Sequence, residues 1–374
     1  MSFRKALFAA AASALVLSTP AFSGPPPVNA RAYIVENGAT GEVLAQRGAR
    51  AKLPIASITK LMTVLVALEH ARPSEVATVP SEVTTIGEST IYLRAGERMS
   101  VHDLIEAALI PSANDAADTL ADHVGHGSET RFVRMMNVRA RRLGLTDTHF
   151  VRPDGLDVPT HVSSARDVTK LARVLMRRRL VRAIVRRTSA TIAGGRTVLT
   201  RNNLLYSFPG LIGVKTGHTS LAGWSEVAAA RRNGTTIYAT ILGAPSEGQR
   251  DADLRVLLEW GLAQYRRAVL VPANRLYARS ATGFGRAAVD VVAARRVVRP
   301  VRVGRSLVEQ VVVPGALELP VTRGERVGEV RIYDGKRLVG ATPLVAARSV
   351  SGPSFGGRLG WYVGRTFHHL FSWL

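Results

Sequence analysis

Hydrophobic and polar positions change rhythm several times along the chain. After a GPPP stretch, the runs AYIVEN and EVLAQ alternate with a period of two around Asn37-Gly38 and Gly41, which predicts a hairpin opening a sheet. Ile58, Leu61, Met62, Leu65 and Leu68 then recur at helical spacing behind Pro54. From 100 to 185, SVHDLIEAALI, NDAADTLADHV, ETRFVRMMNVRARRLG and SSARDVTKLARVLMRR each carry a helical apolar stripe, with Ser100 and Ser163 placed as N-caps and Gly144 as a helix stop. The intervening THFVRPDGLDVPTHV is broken by Pro153, Gly155 and Pro159 and reads as a loop.

From about residue 190 the rhythm returns to strands. GWSEVAAARRNGTTIYATILGA is a hairpin turning at Asn233-Gly234, and DADLRVLLEWGLAQY is a closing helix; these strands match the opening hairpin in length, so one sheet accommodates both. A domain over 24–265 follows. Residues 266–350 hold short valine-rich alternating runs broken by Gly and Pro, with Asp334-Gly335 as a turn, and form a separate all-β domain.

The two ends read differently. Drawn as a helix, the tail 351–374 places Phe355, Leu359, Tyr362, Phe367, Leu370 and Phe371 on one face and Arg358, Arg365 and His368 on the other. Those cations make it a poor membrane span and suit it to lying in an anionic interface, through residues 354–374. Residues 1–23 combine Arg4 and Lys5, an apolar run to Leu17 and small residues at Ala21 and Ser23, the pattern of a secretory signal peptide cut after Ser23. Its apolar run falls short of the ~20 residues that spanning requires.

Composition narrows the chemistry. With 46% apolar and 21% charged residues over 374 positions, whole-chain disorder is excluded. The net charge of +22 fits an anionic membrane or wall polymer, though an arginine-rich coding bias produces the same excess. With no zinc-finger spacing and no basic region with heptads, nucleic acid is not an expected partner. The absence of cysteine removes disulfides, thiolate metal sites and a cysteine nucleophile. His123 and His126, and His368 and His369, lack ligand partners at metal-like spacing, so no metal or other cofactor is expected.

The chain carries 44 arginines and only six lysines, and one of those lysines, Lys60, stands three residues after Ser57 on a helical pattern. Positions i and i+3 share a helix face, so the amine can reach the hydroxyl. A serine hydroxyl is a weak nucleophile that needs a base beside it. Lysine serves only if burial or a second cation lowers its pKa, and arginine cannot serve at all. S-x-x-K alone is common. Here it is followed by Ser112 and Asn114, an S-x-N between helices, and by Lys215, Thr216 and Gly217, a K-T-G on a strand pattern. That ordered set is the signature of penicillin-interacting serine enzymes.

The sequence resembles the D-alanyl-D-alanine carboxypeptidases of the low-molecular-mass penicillin-binding proteins. ASITKLMT, PSANDAADTLADHV, FVRMMNVRARRLGL, HVSSARD, GVKTGHTSLAGW and LPVTRGERVGEV carry the likeness over nearly the whole exported chain. It departs at Ala113, where the family often has glycine, and at Arg152, where asparagine is frequent. The resemblance implies an α/β fold: a β-lactamase/transpeptidase-like domain, with an antiparallel sheet, helices on both faces and a helical subdomain, then the small all-β domain and amphipathic helix. It implies that Ser57 attacks the carbonyl between two terminal D-alanines of a peptidoglycan stem peptide and that Lys60 takes its proton. Ser112 relays a proton while touching both Lys60 and Lys215, and Asn114 holds the substrate amide. Lys215, Thr216 and Thr219 hold the terminal carboxylate, and the backbone N–H groups of Ser57 and His218 form the oxyanion hole. At Gly217 a side chain would obstruct substrate lying along the strand. β-Lactam antibiotics are expected to acylate the same serine, on the outer face of the cytoplasmic membrane.

Three alternatives accompany this reading. A β-lactamase shares the serine and lysine but deacylates through a glutamate, usually carried by an E-x-x-L-N loop that does not occur in this chain. Endopeptidase action on crosslinked peptide uses the same residues. A non-catalytic wall-binding scaffold would not need Ser57, Lys60, Ser112, Asn114 and Lys215 intact.

Overall fold

The computed structural model describes residues 8–15, 24–284, 286–357 and 361, the first of these segments by its backbone alone. One unit spans Ser23–Gln264; the other begins at Tyr265 and includes the 8–15 strand. In the first unit five antiparallel strands lie in the order Val43–Arg47, Ala32–Asn37, Thr235–Ala244, Gly223–Arg232 and Leu211–Thr219. The expected hairpin at Asn233-Gly234 forms because both residues take positive φ, 51° and 83°, the pairing that matches the twist of its strands.

Strand alternation puts helices on both faces. Thr169 of helix Ala165–Leu175 meets Thr240, three positions along from Ile237, against which Gly261 of helix Glu247–Ala263 is pressed. Strand residues an odd number of positions apart thus face opposite helices. Helices Lys60–His70, Val101–Leu109, Asn114–Gly125 and Glu129–Arg142 gather on the Thr240 side around Leu61, Leu65, Leu104, Leu120 and Phe132, all fully or almost fully buried. Ser100 caps its helix by accepting from the Asp103 N–H, as expected. The cap of Ala165–Leu175 is Ser164, not Ser163, whose hydroxyl pairs with Thr148 while its backbone bridges to Leu53. Gly144 stops its helix at φ 63°.

The second unit is a seven-stranded sheet, ordered Phe8–Leu15, Leu307–Pro314, Arg326–Asp334, Arg337–Ala346, Val289–Ala293, Leu276–Thr282 and Ala316–Leu317, beside a paired Tyr265–Val271 and Val297–Arg302. Its core is aliphatic: Leu270, Val291, Val330, Ile332 and Leu344. Of the leader expected at 1–23, residues 8–15 form the edge strand of this sheet and the rest lies outside the described residues. Of the tail, residues 351–357, with a turn of helix at 355–357, and Trp361 are described, so the rest of its amphipathic faces lies outside them. Among the described residues no helix is long and apolar enough to cross a membrane.

Two glycines lock the Ser57 turn. A Cβ on Gly155 (φ +89°) would lie 2.1 Å from the Ala56 carbonyl oxygen, and one on Gly217 would lie 2.8 Å from the Ile55 oxygen. Ala56 itself sits at φ 49°, a conformation that costs an alanine about 1–2 kcal/mol and persists only when its surroundings enforce it. Gly155→Ala is expected to destabilise the protein by on the order of ~3 kcal/mol in urea unfolding; an unchanged midpoint would mean that the loop is not seated on the turn.

Candidate active site

Ser57 lies in the 3-10 turn Ala56–Thr59, immediately before the helix that Lys60 begins. Lys60 is completely buried, and its Nζ donates to Ser57 Oγ (2.9 Å), Asn114 Oδ1 (2.6 Å) and the Asp154 backbone carbonyl (2.8 Å). All three acceptors are uncharged. Burial lowers the Lys60 pKa to about 8, against the pull of Asp154, Asp118 and Asp115. Asn114 is engaged at both ends of its amide, since Nδ2 donates to the Glu88 carbonyl (3.0 Å). The residue expected to hold substrate therefore first holds the lysine.

Lys215 sits on the edge strand opposite Val227, which in turn pairs with Thr240, so alternation aims the lysine toward the Thr240 side of the sheet. Its Nζ donates to Ser112 Oγ (2.8 Å) and to the Thr216 carbonyl (2.9 Å). Burial pushes its pKa well below the usual lysine value, and the Lys60 charge lowers it further. Ser112 takes φ 69°, which carries its side chain toward Lys215. Ser112 was expected to touch both lysines; it bonds Lys215, and the Lys60 amine is taken by Asn114, Ser57 and the Asp154 carbonyl.

Gly217 differs from expectation in its reason. An added side chain would strike the backbone of the Ser57 turn, with Ile58 N also at 3.2 Å, so the glycine lets strand and turn meet. His218 is exposed, its ring stacked on Trp224 at 4.0 Å between centroids. Thr216 is buried at the edge of the cleft, and the Thr219 hydroxyl donates to Asp157 (2.7 Å).

A cleft of about 260 Å³ opens over these groups, lined by Ser57, Ser112, Thr216, His218, Arg201 and Arg250 among others. The two arginines were not singled out in the sequence. Arg250 looks there like one member of a charged helix start, yet it is 1% exposed, 3.3 Å from a fully buried Glu226 and over the Trp224 ring. Burial raises the Glu226 pKa to about 7, with Arg250 opposing. Behind Ser57, His161 Nδ1 accepts from the Val151 N–H (3.1 Å), which leaves Nε2–H to donate to Thr59 (2.8 Å). Burial lowers that imidazole to about 4, so it stays neutral and fixes the loop that supplies the Asp154 carbonyl.

Comparison with known proteins gives the family. The D-alanyl-D-alanine carboxypeptidase family of S11 peptidases matches residues 19–246. The carboxypeptidase DacD of Escherichia coli K12 is 30% identical, with 92% of each chain covered. DacD of Salmonella typhimurium is 29% identical over 97% of this chain and 99% of its own. Among solved structures, penicillin binding protein 6B from Escherichia coli superposes with a TM-score of 0.64 at 29% identity, covering 86% of this chain and 96% of that one. The chain belongs to the S11 peptidase family of D-alanyl-D-alanine carboxypeptidases.

Proposed function

We propose that this protein removes the terminal D-alanine from peptidoglycan stem pentapeptides through an acyl-enzyme on Ser57, and that penicillins acylate the same serine. The observation that carries this reading is the buried Lys60 amine on Ser57 Oγ, held by uncharged acceptors and brought to about 8, where it can act as a base. Ser57 Oγ attacks the penultimate D-alanine carbonyl as its proton passes to Lys60. The C–N bond breaks, and Ser112, hydrogen-bonded to Lys215, hands a proton to the departing amine. Water then cleaves the ester and restores Ser57.

The backbone N–H groups of Ser57 and His218 receive the oxyanion; donors of this kind lower a barrier by about 3 kcal/mol each. Lys215, Thr216, Arg201 and Arg250 receive the carboxylate, a group that marks a chain end, and Thr219 supports them through Asp157. Asn114 serves substrate through whatever its amide retains after engaging Lys60 and Glu88.

A second reading, endopeptidase action on crosslinked peptide, has one observation in its favour. A groove of about 670 Å³ shares Arg201 with the cleft and continues past it between the exposed Tyr92 and Leu199, giving room for a second peptide beyond the carboxylate cradle.

Export after cleavage at Ser23, with 24–265 as the catalytic domain and 351–374 resting on the outer face of the cytoplasmic membrane, completes the proposal. Protein from residue 24 is expected to release free D-alanine from a peptide ending in D-Ala-D-Ala, and Ser57→Ala to release none; cleavage only of a crosslinked dimer would favour the second reading. The same protein is expected to float with anionic vesicles and to stay in solution when 351–374 are removed; flotation of the shortened chain would refute the tail's role.

A further inference from the structure

Helix Asn114–Gly125 presents a second polar side chain to the catalytic lysine. Asn114 bonds Lys60, and four residues on, one turn along the same face, stands Asp118. Asp118 is 8% exposed, and its buried Oδ1 has no hydrogen-bond partner. An unsatisfied buried carboxyl is costly, and an aliphatic residue there would avoid the cost.

The charged groups around it come from each element packed there. Lys60 faces it from the nucleophile helix, Glu129 from the start of the next helix, and Arg152 and Asp154 from the loop behind Ser57. Arg152 is spent on Asp154, donating from Nε (3.0 Å) and Nη2 (2.7 Å) to the two carboxylate oxygens. On Asp118's own helix, Asp115 accepts from the Ile91 and Leu93 N–H groups, and Asp122 responds to Glu82 and His123. Lys60 is left as the cation with no carboxylate bonded to it, and Asp118 as the carboxyl with an unpartnered oxygen.

We propose that Asp118 is a positioning residue that works through Lys60: the charge of its buried carboxyl, acting through space and not through a hydrogen bond, sets the pH range in which Ser57 is activated. Burial moves the two groups toward each other, the lysine down to about 8 and the carboxyl up to about 8. Groups brought into one range titrate as a pair. When Lys60 receives the serine proton, an ionised Asp118 stabilises the new charge.

The inference rests on Ser57 and Lys60 acting as proposed, and the test separates the two. The second-order rate of acylation by a chromogenic β-lactam is followed from pH 5 to 10. Wild type is expected to gain rate with pH through a limb near 8, the range to which Lys60 is brought. In Asp118→Asn the limb moves to lower pH by about half a unit or more, roughly threefold in rate at fixed acid pH relative to plateau, and the plateau falls because a weaker base accepts the proton less readily. Asp118→Leu, which fills the site without polarity, is expected to move the limb the same way, and it serves if the asparagine variant does not fold. A limb unmoved in a folded variant overturns the inference even if the plateau drops. Absence of acylation in wild type would instead count against the Ser57 reading.

Discussion

Desolvation of two lysines is the constraint on which the site depends. Lys60 and Lys215 are both buried, and neither is hydrogen-bonded to a carboxylate; their partners are hydroxyls, an amide oxygen and backbone carbonyls. Such partners orient an amine without supplying the charge that would hold its proton. Burial therefore lowers both pKa values, and the mutual repulsion of the lysines adds to the effect on Lys215. An arginine at either place would stay charged, which is why a chain so rich in arginine places lysine here.

Holding amines in this way requires backbone to arrive from several directions, and the fold is arranged to deliver it. The loop at 151–159 presents the Asp154 carbonyl and is pinned by His161 and by the Thr63 hydroxyl on the Pro153 carbonyl. The edge strand presents Lys215 on one face, with Gly217 close against the Ser57 turn. Ala56 and Ser112 both take positive φ, beside Ser57 and beneath Lys215, and the close seats of Gly155 and Gly217 hold the Ser57 turn in place. On the opposite face of the sheet, Arg250 is fixed by the buried Glu226, so a cation lines the cleft from a rigid base.

Much of this was legible in the residues. Period-two and helical stripes located both hairpins and the helices of 100–185, and the scarcity of lysine drew attention to Lys60 and Lys215. What escaped has a common cause. The Asp154 carbonyl is an acceptor that any residue could supply, so its identity carries no signal. The exchange of partners, with Asn114 on Lys60 and Ser112 on Lys215, depends on the φ of Ser112 and not on spacing. Arg250 resembles a solvated helix start until the sheet brings Glu226 and Trp224 against it. The Ser163 cap failed by one residue because the bridge to Leu53 takes its backbone. Gly217 was given the right type for a different reason, since only the assembled fold shows the turn behind the strand.

The central claim is that Lys60 is held as an amine able to lose its proton near neutral pH, and the low lysine content makes it directly observable. With only six lysines, protein labelled with [13Cε]lysine gives few resonances, and Lys60→Arg and Lys215→Arg assign the two that matter. A pH titration followed by NMR is predicted to place Lys60 at about 8 and Lys215 well below the ordinary lysine value. Both resonances titrating at about 10.4, the value of a solvated lysine, would contradict the account.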